Sequence, residues 1–95
     1  MTTIIEESTT QTLPSSRYLH ATLSNGKRRA TVSVCRSEVY GNYIRVIVQN
    51  DSHLTWRGMG RSFRTLPEAL AAYKSASIRS MIDTAYQMAL EAIAA

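Results

Sequence analysis

Residues 57–76, RGMGRSFRTLPEALAAYKSA, decide the fold, because the hydrophobic period changes inside them. As far as Phe63 they read as a basic strand interrupted by Gly58 and Gly60, and glycine inside a strand marks a bulge or a close backbone approach. From Thr65 they read as a helix. Thr65 is an N-cap residue type, Pro67 falls in the first turn, and Glu68 stands three residues after the cap, which together make a capping box. Leu66, Ala69, Leu70, Tyr73 and Ala76 then recur at helical spacing, and Ile78, Met81, Ile82, Ala85, Met88, Ala89 and Ile93 continue the row. The stretch predicts either one helix over residues 66–94 or two with a kink near residues 77–80, where serines weaken it. Its later half is apolar around more than one face, so a homodimer through the C-terminal helix is one expected arrangement.

Upstream of this junction the period is two. RYLHATL and KRRATVSV flank Ser24-Asn25-Gly26, and Asn-Gly supplies the two positive-φ positions of a type I′ turn, so residues 17–36 predict a β-hairpin with Ser24 opposite Lys27. Leu19, Ala21 and Leu23 share one face with Ala30, Val32 and Val34. Tyr18, His20 and Thr22 share the other with Lys27, Arg29, Thr31 and Ser33. YIRVIVQN follows a turn at Gly41-Asn42 as a third strand, with Ile44, Val46 and Val48 inward and Tyr43, Arg45, Ile47 and Gln49 outward. LTWRGMGRSF is the fourth. If Trp56 faces in, Arg57 and Arg61 face out. Residues 1–16 are rich in Thr and Ser and end in the breaker Leu13-Pro14-Ser15-Ser16, so they read as a flexible tail in which only Thr3-Ile4-Ile5 could pair on a sheet edge.

The expected architecture is therefore α+β: a tail over 1–16, then one domain over 17–95. In it a four-stranded antiparallel meander is packed on one long, or two consecutive, C-terminal helices. Ninety-five residues suffice for one such core and not for a cofactor domain beside a substrate domain. A single cysteine, Cys35, excludes an intrachain disulfide framework and fits a reducing, cytoplasmic setting. No apolar run is long enough to span a membrane, and MTTIIEESTT has neither the basic region nor the apolar core of a signal peptide.

Charge is concentrated. Residues 17–64 carry nine Lys or Arg against two acids, a net +7, whereas 65–95 carry −1 and 1–16 carry −2. A positive field on the strands favours an acidic partner through steering and counterion release. Catalytic patterns are weak beside it. Cys35 lies in an alternating strand, where cysteine is usually a small packing residue. His20 and His53 lack the third ligand that catalytic zinc takes, and Glu68 is explained by its cap. Gly58-Met59-Gly60 lacks the Gly-Lys-Ser/Thr ending of a phosphate loop. No cofactor, metal or small-molecule substrate is expected.

Candidate contact residues are Lys27, Arg29, Tyr43, Arg45, Arg57, Arg61 and Arg64. Guanidinium forks suit phosphate oxygens and guanine edges, and Tyr18, Tyr43 or Trp56 could stack on bases. Residues 63–76, FRTLPEALAAYKSA, resemble the last strand and helix of the plant ethylene-response-factor type of DNA-binding domain. Related modules occur in phage endonucleases and integrase arm-binding domains. The shared positions are Phe63, Thr65, Glu68, Ala69, Ala72, Tyr73 and Ala76. The resemblance implies that the sheet lies in the major groove, with Arg45, Arg57 and Arg61 in contact. The family's Arg-Gly start to its first strand is missing here, Trp56 lies further from Phe63 than the family's, a hairpin strand precedes the sheet, and the helix is longer.

The functional expectation is a non-enzymatic protein that binds DNA or a nucleoprotein through a basic sheet face, as a phage or mobile-element accessory protein. The alternatives are an anti-CRISPR-like or anti-restriction inhibitor of a host defence complex, and a homodimeric structural module.

Overall fold

Alternating side chains make the strands, and the strands pair in chain order. In the computed structural model, which describes residues 2–10, 16–37, 41–50 and 60–94, five antiparallel strands form a meander. They are β1 (Thr2–Thr10), β2 (Ser16–Ser24), β3 (Arg28–Ser37), β4 (Gly41–Asn50) and β5 (Arg61–Phe63). Two helices follow, α1 (Leu66–Ala71) and α2 (Ala76–Ala94). The α+β meander with consecutive C-terminal helices is the architecture that the sequence predicts. No helix among the described residues is long and apolar enough to cross a membrane.

The sheet has one strand more than expected. Residues 2–10, read as tail, pair along their whole length with β2, from Thr2 opposite Ser24 to Thr10 opposite Ser16. Six of these nine residues are Thr or Ile, whose branched Cβ suits a pleated strand. Reading the stretch for polarity alone hides that preference. The breaker at Pro14 lies outside the described residues.

The hairpin register also differs. Ser24 pairs with Arg29, not Lys27, and His20 with Ser33. Gly26 is at positive φ (90°) and Asn25 is not, so the expected type I′ turn, which needs positive φ at both central positions, does not form. Side chains hold the loop instead. Asn25 Oδ1 accepts from the Lys27 and Arg28 amides at 2.9 and 2.8 Å, and Ser24 Oγ accepts from the Gly26 amide at 3.1 Å. Because each residue's partner moves by two, every side chain keeps its face.

The helices divide earlier than expected. Thr65 caps α1, its hydroxyl accepting from the Glu68 amide at 3.4 Å. Glu68 reaches back one residue further than a capping box requires and accepts from the Arg64 amide at 3.2 Å. After one and a half turns the chain tightens, with the Ala72 and Tyr73 amides bonding to the Ala69 and Leu70 carbonyls. Ser75 then caps α2, accepting from the Ile78 amide at 3.4 Å. The break therefore falls at residues 72–75, not 77–80, because Ser75 serves as a cap and not as a weak interior residue.

The core lies between the sheet and α2. Leu19, Ala21, Leu23, Ala30, Val32, Val34, Ile44 and Val46 meet Ile78, Met81, Ile82, Ala85, Ala89 and Ile93, all buried. The sheet takes up the apolar stripe of α2, and its outward positions Ser77, Arg79, Ser80, Asp83, Thr84, Gln87 and Glu91 are exposed and polar. Arg17 pins the far end of the helix, donating to the Ile93 carbonyl at 3.0 Å.

Candidate functional site

The face of the sheet turned away from the helices is not the open basic platform that alternation implies. Its central row on β3 is closed: Thr31, Ser33 and Cys35 are 2 %, 4 % and 1 % exposed. Neighbouring strands satisfy this row. His20 Nδ1 hydrogen-bonds Ser33 Oγ at 2.6 Å, and the Thr22 and Thr31 hydroxyls pair at 2.9 Å. No buried side-chain nitrogen or oxygen of the described residues lacks a partner. Tyr18 and Tyr43 flank Cys35 from either side. Burial pushes the Cys35 thiol up, with the Tyr43 hydrogen bond and the Arg45 charge opposing. The Tyr43 hydroxyl is pushed up to about 12, by burial first and then by the neighbouring Cys35 and Tyr18 groups. Both tyrosines are half-buried, and Tyr18 stacks on His20 with rings 6.4 Å apart and nearly parallel.

Of the expected contact residues, Arg45 and Arg29 do lie on this face, at positions paired with Ser33 and with Ser24 and Gln49. Arg45 is exposed, Arg29 is half-buried, and Lys27 stands at the hairpin tip. Arg61 does not join them. It pairs with Val46, so its side chain is on the helix face, over the Phe63 ring at 5.4 Å and the Tyr73 ring at 5.9 Å. Gly60 explains why the fourth strand needed a glycine: a Cβ there would meet Arg45 Nε at 2.6 Å and Ile47 Cγ1 at 2.9 Å. Arg64, just past β5, is exposed at the sheet edge beside Tyr43, Ser62, Phe63 and Glu68. Arg57, with Trp56 and His53, lies outside the described residues.

A different group converges. Where α1 breaks from α2, a cavity of about 410 Å³ opens between β4 and the helices. Arg28, Arg61 and Lys74 bound it, its walls include Val46, Val48, Tyr73 and Ile78, and no carboxylate lines it among the described residues. Burial raises the Tyr73 hydroxyl, and the Arg61 charge opposes that. Arg28 and Lys74 were absent from the expected set. The signal for Arg28 was its parity with Ala30, Val32 and Val34, which puts it on the helix face. Lys74 carried no comparable signal, because its place depends on where the helix breaks.

The chain matches no family model, and no curated protein or solved structure matches it.

Proposed function

We propose that this protein is a non-enzymatic binder of nucleic acid, alone or within a nucleoprotein, and that it docks by the β4–β5 edge and not by one sheet face. The observation that carries this is the asymmetry of exposed charge. Lys27, Arg28, Arg36, Arg45, Arg61, Arg64 and Lys74 are exposed around β3, β4, β5 and α1, on both faces of the edge. Glu68 is the acid described in that region, and its carboxylate is engaged with the Arg64 amide. Surfaces of this kind bind phosphates in proportion to the counterions they release. Contact through one face, as the ethylene-response-factor resemblance implies, would separate Arg45 from Arg61; a strand passing over the edge reaches both. Cys35 is buried in the sheet and His20 is hydrogen-bonded to Ser33, which favours a binding role over thiol or imidazole chemistry.

The test is fluorescence anisotropy of labelled DNA at ~50 and ~200 mM salt, where several phosphate contacts predict a loss of affinity of the order of a hundredfold or more. Arg36→Ala and Arg45→Ala should each weaken binding and reduce the logarithmic salt slope by about one. Absence of binding at the lower salt would overturn the proposal.

A further inference from the structure

The cavity at the α1–α2 break has a composition that charge attraction alone does not require. A surface that only gathers phosphates needs cations on a convex or flat face. Here Arg28 from the start of β3, Arg61 from β5 and Lys74 from the interhelical link border a concave space whose walls include Val46, Val48, Ile78 and Tyr73, with Gln49 and Ser75 beside them. At about 410 Å³ it falls within the range of small-molecule sites, roughly 300–1,000 Å³, and is far larger than a bare phosphate needs. Resting on the nucleic-acid reading above, we infer that this cavity seats one unpaired nucleotide of a single strand. The phosphate lies on Arg28, Arg61 and Lys74, and the base lies against Tyr73, Val48 and Ile78.

The chemistry selects single-stranded over duplex nucleic acid. A duplex presents phosphates on a ridge and keeps its bases stacked inside, so it has nothing apolar to offer the walls. An unpaired nucleotide offers both groups at once, and aromatic and aliphatic walls accept any base because every base has an apolar face. Arg61 already lies over Tyr73, at 5.9 Å from the ring centre, which ties the cation that would hold the phosphate to the ring that would border the base.

Two measurements test this. In amide correlation spectra titrated with AMP, the expected shifts fall on Arg28, Tyr73, Lys74 and Ser75 and spare His20 and Arg45, with half-saturation at a concentration at least fivefold lower than for inorganic phosphate. Equal behaviour of AMP and phosphate makes the cavity a plain anion site and overturns the inference. In anisotropy, single-stranded DNA should bind about tenfold tighter than a duplex of equal length, the contribution of roughly one stacked base. Tyr73→Leu, which keeps the apolar bulk, should remove most of that preference, whereas Arg45→Ala should weaken both forms alike. Equal affinity for the two forms, with the salt slope intact, defeats the nucleotide inference and leaves the polyanion reading standing. No binding of either form defeats both.

Discussion

Over β2 and β3 the sheet is sealed; over β4 and β5 it is left partly open. The nineteen residues of α2 lay Ile82, Ala85 and Ala89 onto Ala21, Ala30 and Val32, and each of these is 0 % exposed. Beyond β4 the cover is α1, six residues long; Val48, Phe63, Leu66, Leu70 and Tyr73 stay half-buried, and Val48 and Tyr73 line a cavity. The strands themselves do not differ enough to explain this, since Ile44 and Val46 on β4 are as apolar as their partners on β3. The length of the covering helix makes the difference. A break at residues 72–75, which ends α1 early, leaves the β4–β5 half with apolar walls and exposed cations together.

The largest expected effect contrasts the two halves directly. Ile82→Ala removes a fully buried side chain from the sealed half and should cost about 2–5 kcal/mol of unfolding free energy. Val48→Ala, on the half-buried row beside the cavity, should cost less than ~1 kcal/mol, because those atoms are already partly in water. Urea denaturation of the two variants at constant m-value gives both numbers. Similar losses would mean that the β4–β5 half is as tightly packed as the other and would remove the physical basis for a cavity there.

An intermediate effect comes from the entry to β5. The Gly60 backbone comes so close to Arg45 and Ile47 that a Cβ would stand 2.6 Å from Arg45 Nε and 2.9 Å from Ile47 Cγ1. The arginine end can swing away, whereas buried Ile47 has little room, so Gly60→Ala should destabilise by about 1–3 kcal/mol. Binding should fall with it only through Arg45, as a weaker affinity for single and double strands alike. A loss confined to single strands would tie Gly60 to the cavity side of the sheet instead.

These contrasts also show what alternation and capping could and could not reveal. The faces of β2, β3 and β4 were legible because a period of two survives a change of register: the hairpin pairs differently from the Asn-Gly expectation, yet Leu19, Val32 and Val46 are inward as read. Thr65 and Glu68 announced the start of α1 through local chemistry. Three features were not legible, two of them because they depend on partners distant in sequence. β1 is held by pairing with β2, which outweighs the polarity of its Thr and Ser. The break at residues 72–75 needed Ser75 to act as a cap, and serine gives the same letter whether it caps or weakens. The side of Arg61 follows from its pairing with Val46, whereas the expectation counted it from an inward Trp56, which lies outside the described residues.

The smallest expected effect probes the closed outer face against the open edge by pH. Cys35 and Tyr43 both hold their protons more tightly in the folded chain than their ordinary values of 9.0 and 10.0, Cys35 through burial and Tyr43 at about 12 through burial and its neighbours. An acid whose folded value is raised binds more protons in the native state than in the unfolded one. The stability it contributes is therefore whole below the unfolded value and is lost as pH rises towards the folded value. Stability should stay level up to about pH 9 and decline from there towards pH 12 on this account, and Cys35→Ala with Tyr43→Phe should flatten the decline. Tyr43 is only partly removed from solvent, so screening keeps its share small. The same raised thiol should make Cys35 slow to react with a disulfide reagent at pH 8, because both thiolate and access are scarce. Rapid modification of the native chain would show that the row beneath Tyr18 and Tyr43 opens readily. The outer face would then rank beside the β4–β5 edge as an accessible surface, and the contrast between a closed face and an open edge would fail.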